Sequence, residues 1–186
     1  MPATIAPGAR QAAVAAILRE GQDGTEALFI LRAERPGDIW SGHMAFPGGH
    51  KEPGDSDLEE TAVRETLEEV GLDLNTQGRL LGFLDYLDVT PLGTKIEMVI
   101  APYVYALEGE MPPFRPNSEV ADVLWGSIHD MYHGASHTSR EFHIRGETQS
   151  FSGYGVQDQI VWGLTYRMLG QFFSILDPRW QEHMLE

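Results

Sequence analysis

Apolar and polar positions along the chain change their period twice. Residues 11–18 (QAAVAAIL) and 27–32 (ALFILR) are short apolar runs on either side of a turn signal at Gly21 and Gly24. They read as a β-hairpin. Residues 33–43 are polar and carry Pro and Gly, so they form a loop, and residues 44–46 make a short extended run into Pro47. Leu58, Ala62, Val63, Leu67 and Val70 then recur at helical spacing. That pattern predicts a helix starting near Asp57, with Ser56 as N-cap, Glu59 as its capping-box partner and Gly71 at the C-terminal stop.

Strand patterns return at residues 79–87, 96–107 and 119–125, with loops at 91–93 and 108–118. Residues 127–132 fit a short helix, and residues 137–144 and 148–154 flank Gly146 as a peripheral hairpin. Residues 157–176 read as a second long helix with Ile160, Val161, Leu164, Met168, Phe172 and Ile175 on its apolar side. Strands and helices without regular alternation predict an α/β chain of the α+β kind, a mixed sheet covered by helices. At 186 residues the chain is expected to be one domain, residues 1–186.

The formal net charge of −15 argues against a nucleic-acid polymer or an anionic membrane as partner, since both need a basic surface. It leaves room for a small phosphorylated molecule held by a few arginines and a metal. The absence of cysteine excludes disulfides, thiolate chemistry and zinc–cysteine sites, and fits a reducing, cytoplasmic setting. The first residues show no basic segment followed by an apolar run, and no stretch is apolar enough to span a bilayer.

The chemistry concentrates at residues 48–72. Glu65, Glu68 and Glu69 fall on one helix face, where like charges cost about 0.2–0.5 kcal/mol per pair. A divalent cation reverses the sign of that cost, because hard cations take carboxylate oxygens. Gly48 and Gly49 allow the backbone to approach closely ahead of the helix. Arg64, with Glu60 four residues before and Glu68 four after, is placed to hold a carboxylate in position.

Residues 46–72 read FPGGHKEPGDSDLEETAVRETLEEVGL. This stretch resembles the Nudix box, G-x5-E-x7-R-E-U-x-E-E-x-G-U, in which U is a bulky aliphatic residue. Arg64, Glu65, Glu68, Glu69, Gly71 and Leu72 match its second half in register. Thr66 stands where an aliphatic residue is usual. The run from Gly49 to Arg64 is one residue longer than the standard box, and Glu52 and Asp55 replace the single early glutamate. The longer form resembles the coenzyme A pyrophosphatase branch of the family.

That resemblance implies a Nudix-type α/β/α sandwich and hydrolysis of a nucleoside diphosphate derivative with Mg2+ or Mn2+. It implies Glu65 and Glu69 as metal ligands, Glu68 as a further ligand or water organiser, Arg64 as the orienting residue, and a carbonyl of Gly48 or Gly49 as another ligand. Nudix enzymes also often carry a loop carboxylate as ligand or base, a role expected of Glu119, with Glu97 as the alternative. Outside the box, Arg32, Ala33, the Gly42-to-Phe46 spacing and the run at 160–166 are similar to the coenzyme A branch. A second upstream arginine of that branch is replaced by Gly37 and Asp38.

The expected substrate is coenzyme A or a derivative, cleaved to adenosine 3′,5′-bisphosphate and 4′-phosphopantetheine. ADP-ribose, nucleotide sugars and dinucleoside polyphosphates are alternatives, as is a Nudix-fold nucleotide sensor without catalysis. Arg32 and Arg35 are candidates for binding substrate phosphate, and Trp40 for its edge. Phe83 and Tyr103 are expected in the core. His129, His133, His137 and His143 are expected to be exposed or hydrogen-bonded rather than metal-binding. A homodimer is left open.

Overall fold

The structure is a computed structural model describing residues 8–37, 41–89, 98–109, 111–144 and 147–182. An eight-stranded mixed sheet forms its centre. The first hairpin is present as β1 (Arg10–Gly21) and β2 (Gly24–Arg32). After it come β3 (Met44–Ala45), β4 (Gly48–His50), α1 (Leu58–Val70), the short α2 (Leu74–Gln77), β5 (Gly78–Phe83), β6 (Leu87–Val89) and β7 (Met98–Leu107). The chain continues through β8 (Val120–Ser127), α3 (Ile128–Tyr132), β9 (His137–Ile144), β10 (Glu147–Val156), β11 (Gln159–Trp162) and α4 (Gly163–Leu176). The main path runs β3-β2-β1-β7-β5, with β4 on β1, β6 on β7 and β8 on β2. β1 and β7 pair in parallel and the other pairs are antiparallel. A second sheet has the order β11-β10-β9.

Side chains alternate across a strand, so β1 supplies both faces of the sheet. Ala13, Ala15 and Ile17 join Leu28, Ile30 and the α1 residues Leu58, Ala62, Val63 and Val70 in one core. Ala12, Ala16 and Phe29 join Met44, Phe46 and the α4 residues Met168, Leu169 and Phe173 in the other. Small alanines along β1 let α1 pack closely on the strand. Each buried leucine, valine or isoleucine contributes about 1.5–3 kcal/mol.

Several expectations need correction. The N-cap of α1 is Asp57, whose carboxylate accepts from Glu60 N, while Glu60 Oε2 accepts from Ser56 N at 2.7 Å. The capping pair therefore sits one residue later than the Ser56/Glu59 reading. Leu67 is exposed and Glu69 takes a place on the buried face. At about 100° per residue, Glu69 falls on the arc of Leu58, Ala62 and Thr66, and Leu67 falls off it.

The run at 79–87 is broken into β5 and β6, and Phe83, expected in the core, is 53% exposed. Its ring leans on Tyr103 at 6.3 Å. The predicted helix at 157–176 begins only at Gly163. Gln157, at φ 55, turns the chain back so that β11 pairs with β10 and Val161 lies opposite Tyr154. Ile175, placed on the apolar side, is exposed, and Leu169 and Phe173 are buried instead. The loop at 91–93 lies outside the described residues.

Candidate active site

β4 is the strand that brings backbone to the acidic helix. It pairs with β1, Gly48 opposite Val14 and Gly49 opposite Ala13. Gly48 has φ +154, and a Cβ there would lie 2.6 Å from Val14 Cα. A Cβ on Gly49 would lie 2.5 Å from Glu65 Oε1. The two glycines therefore form a seam without side chains between strand and helix, and any other residue would displace either β1 or Glu65.

Across that seam, Gly48 N donates to Glu69 Oε2 at 2.8 Å. Glu69 is only 2% exposed. Burial pushes its carboxyl up to about 7, and the nearby Glu65 and Glu119 charges add to the rise. The Gly48 amide and the charge of Arg32 oppose it. Burial also raises Glu65, against the pull of Arg64. In both carboxylates burial outweighs the compensation that these partners give the charged form, and a bound cation would add to that compensation.

Arg64 fixes the other side of Glu65. Its Nη1 donates to Glu65 Oε1 at 3.0 Å and to Glu68 Oε2 at 3.4 Å, and its Nη2 donates to the His50 carbonyl at 3.0 Å. Its strongest partner is Asp55, through paired bonds of 2.9 Å from Nε and 3.0 Å from Nη2. Glu60, four residues back in sequence, is engaged at the helix cap instead. Asp55 is buried and also accepts from Glu52 N and Thr61 Oγ1, each at 2.9 Å. The Arg64 guanidinium holds the Asp55 carboxyl well below the usual carboxylate range. Asp55 thus orients Arg64, and Arg64 orients Glu65. The early acidic position could be read from the sequence, but its bidentate bond to Arg64 could not.

Glu119 arrives from the opposite direction, just before β8. Its backbone carbonyl accepts from Ala33 N at 2.8 Å, and its Oε1 accepts from Arg35 Nη1 at 3.0 Å. Arg35 Nη2 also reaches Ser118 O and Oγ. Arg32 lies where the β2–β8 register shifts, between Leu31 and Arg32. A bulge of this kind re-aims a side chain, and Arg32 lines the pocket beside the glutamates.

The pocket has a volume of about 410 Å3. Glu52, Glu65, Glu69 and Glu119 supply its acidic wall, with Arg32, Gly48 and Gly49 among them. Met98, Ile100, Trp162, Leu164 and Met168 supply an apolar wall. His43 stands at this wall, its ring 4.8 Å from that of Trp162 and edge-on to it. Of the sequence candidates, Arg32, Gly48, Gly49, Glu65, Glu69 and Glu119 line one cavity. Arg35 is engaged with Glu119 and is not part of the lining. Glu68 is also outside the lining, with its side chain 55% exposed. Trp40 and Glu97 lie outside the described residues.

His43, Met98 and Trp162 line the pocket without being among the site residues expected from the sequence. The VWG run containing Trp162 carried a signal, but reading it as helix hid its place at the end of a strand. The rings of His129 and His133 meet in a tilted contact with centroids 4.5 Å apart, and His137 bonds Tyr166 OH at 3.3 Å. The side chain of His143 lies outside the described residues. Among the described residues, no three His, Asp or Glu side chains stand together at metal-ligand spacing. The expected ligands, the Glu65 and Glu69 carboxylates and a carbonyl of Gly48 or Gly49, are nonetheless all oxygen donors, which suits a hard divalent cation such as Mg2+ or Mn2+. No helix among the described residues is long and apolar enough to cross a membrane.

A family model for the NUDIX domain matches residues 9–145. The chain is 31% identical to Nudix hydrolase 22, chloroplastic, of Arabidopsis thaliana, over 91% of this chain and 56% of that protein. It is 30% identical to a Yersinia pestis protein named Uncharacterized Nudix hydrolase NudL, over 73% of this chain and 66% of that one. The chain thus spans about half to two thirds of the length of these curated relatives.

Among solved structures, a C. elegans Ap4A hydrolase binary complex aligns with TM-score 0.61 at 18% identity, covering 91% of this chain and 98% of that one. A MutT/nudix family protein from Enterococcus faecalis aligns with TM-score 0.62 at 16% identity, covering 95% and 66%. At such identities the structural likeness speaks for the fold alone. The family match covers β1 through β9, including the glycine seam, α1 and Glu119, and by that match this chain belongs to the Nudix family.

Proposed function

We propose that this chain is a Nudix pyrophosphohydrolase that cleaves the diphosphate bond of a nucleoside diphosphate derivative, with coenzyme A as the preferred substrate. The observation that carries the reading is the two-sided pocket. Its lining combines Glu65, Glu69, Glu119 and Arg32 with a set of apolar side chains. A diphosphate joined to a long uncharged arm matches both walls. Coenzyme A has that shape, with the diphosphate at the acidic wall and the pantetheine arm along Met98, Ile100, Leu164 and Met168. The apolar wall favours it over ADP-ribose, a nucleotide sugar or a dinucleoside polyphosphate, whose second halves are polar.

Mg2+ or Mn2+, held by Glu65 and Glu69 with Glu68 or Glu119 and a Gly48 or Gly49 carbonyl, would neutralise diphosphate charge and lower the pKa of a bound water. The protein's own groups do the positioning. Asp55 and Arg64 keep Glu65 fixed. Gly48 N–H orients Glu69. Arg32 offers a forked cation to phosphate oxygens. Glu119, which lines the pocket, would take a proton from attacking water. One P–O bond forms to that water, the bridging P–O bond breaks, and two phosphate monoesters leave. The family match at 9–145 and the α4 wall beyond it together support one domain working across residues 1–186.

Turnover of coenzyme A, ADP-ribose, a nucleotide sugar and a dinucleoside polyphosphate by one purified sample with Mg2+ or Mn2+ tests the reading. Preferred cleavage of coenzyme A is expected. Cleavage of only the others would remove the coenzyme A assignment. Cleavage of none, with nucleotide binding retained, would favour a sensing module.

A further inference from the structure

Glu119 belongs to a segment that is fastened to the C-terminal end of α1, the helix that carries Glu69. The last carbonyls of a helix have no partner within it. Here two of them are taken by the strap that leads into β8. Arg115 N donates to Val70 O at 2.8 Å, and Asn117 N donates to Glu69 O at 3.0 Å. The strap can approach because Gly71 has no side chain: a Cβ there would lie 3.0 Å from Arg115 Cβ. Asn117 then turns back on the strap, and its Oδ1 accepts from Glu119 N at 2.8 Å. Asn117 O also accepts from Val120 N. On the far side, the Glu119 carbonyl accepts from Ala33 N of the β2 edge.

We propose that Asn117 is a positioning residue that fixes Glu119 relative to Glu69, linking the C-terminal end of α1 to the loop carboxylate of the pocket. The inference rests on the Nudix reading for its catalytic consequence. The positioning itself rests on the bonds just described. Residue 117 meets α1 through its backbone N–H, which any residue but proline supplies. It meets Glu119 through its side-chain oxygen, which needs Asn or Asp. Removing the side chain therefore leaves the strap attached and frees only the Glu119 amide, whose carbonyl stays on Ala33 N. With the Glu119 amide uncapped, the backbone that carries its carboxylate loosens relative to Glu65 and Glu69, and the existing Arg35 ion pair alone holds the side chain.

Two readouts test this in the full chain. The first is amide hydrogen exchange at Glu119 in metal-free protein, compared in wild type, Asn117→Ala and Asn117→Asp. The second is kcat and KM for diphosphate cleavage with Mg2+ in the same proteins, and in Glu119→Gln with and without Asn117→Ala. Exchange at Glu119 is expected to rise about tenfold in Asn117→Ala while the α1 amides stay protected, and to return in Asn117→Asp. A fall in kcat of about tenfold is expected, with KM within about twofold, again restored by Asp. In the Glu119→Gln background, Asn117→Ala should add nothing further.

Unchanged exchange at Glu119, a loss that persists in Asn117→Asp, or full additivity with Glu119→Gln would overturn the proposal. A wild-type chain that cleaves no diphosphate would refute the proposed activity instead. The exchange comparison would then decide the positioning role alone.

Discussion

The two long helices lie against opposite faces of one sheet and are built on different terms. α1 is anchored by polar bonds. Asp57 caps its start, Gly71 in the left-handed region closes its end, and its buried side includes Thr61, Thr66 and Glu69. α4 has no side-chain cap at Trp162 and buries Tyr166, Met168, Leu169 and Phe173. The difference follows from what each helix presents to the pocket. α1 carries carboxylates whose orientation matters to fractions of an ångström, and directional hydrogen bonds set orientation more sharply than apolar contact does. α4 offers an apolar surface, where shape and area decide and small shifts are tolerated.

The largest effect should come from Glu69→Gln on α1. It removes a charge that the pocket is arranged to use while leaving an acceptor for Gly48 N. Turnover with Mg2+ should fall about a thousandfold, measured by chromatography of the two phosphate products. The fold should be retained, because relieving a buried charge does not open a cavity. Activity within a few-fold of wild type would remove Glu69 from the site and erase the contrast between the helices.

Asp55→Asn comes next. It leaves the Arg64 guanidinium without its main counter-charge, and urea unfolding should show a loss of about 3 kcal/mol. Turnover should fall with it, because Glu65 loses its brace. A variant as stable as wild type would mean that Arg64 is held by Glu65, Glu68 and the His50 carbonyl alone.

The apolar wall should respond more mildly. Leu164→Ala should raise KM for coenzyme A about fivefold, near 1 kcal/mol, with kcat little changed. It should leave KM for ADP-ribose nearly unaltered. Equal effects on both substrates would mean that the α4 wall does not contact the arm that distinguishes them.

pH provides the subtlest contrast, between two carboxylates of the same site. Glu69 is raised to about 7 from an ordinary 4.5, so the folded metal-free protein holds more protons than the unfolded chain between those values. Stability of metal-free protein should therefore fall as pH rises from about 4.5 to 7, and Glu69→Gln should flatten that slope. Asp55 is shifted the opposite way. Its contribution is fully present above the ordinary value of 3.8 and is lost as pH falls below it, toward its depressed folded value. Thermal melts of metal-free protein across this range, for wild type and both variants, check the two signs.

These two helices also show what could be read from the sequence. α1 was legible because its signals are local: helical spacing, acids at its start and Gly71 at its stop. Even there, the cap fell one residue off, because Asp57 and Ser56 are both good caps and only the backbone decides. The buried face was misjudged at Leu67 and Glu69, since a glutamate goes inside only when a distant strand supplies Gly48 N.

The start of α4 was not legible. Ile160, Val161, Leu164 and Met168 keep helical spacing, yet pairing with β10 holds residues 159–162 as strand. The same non-local character hid the pocket's second wall. The Arg64–Asp55 fork, the Arg35–Glu119 pair and the meeting of His43 with Trp162 all join residues that are separated along the chain. Chemical type was visible from position in the box, whereas partnership depended on the fold.

What stands or falls here is metal-dependent cleavage of a diphosphate by the acidic face of α1. Phosphorus NMR of coenzyme A incubated with the purified chain tests it most directly, with Mg2+ or Mn2+ in one sample and a chelator in the other. Loss of the diphosphate resonances and growth of phosphate-monoester resonances are expected only where the metal is present. Unchanged diphosphate signals with either metal, or equal cleavage in the chelated sample, would contradict it.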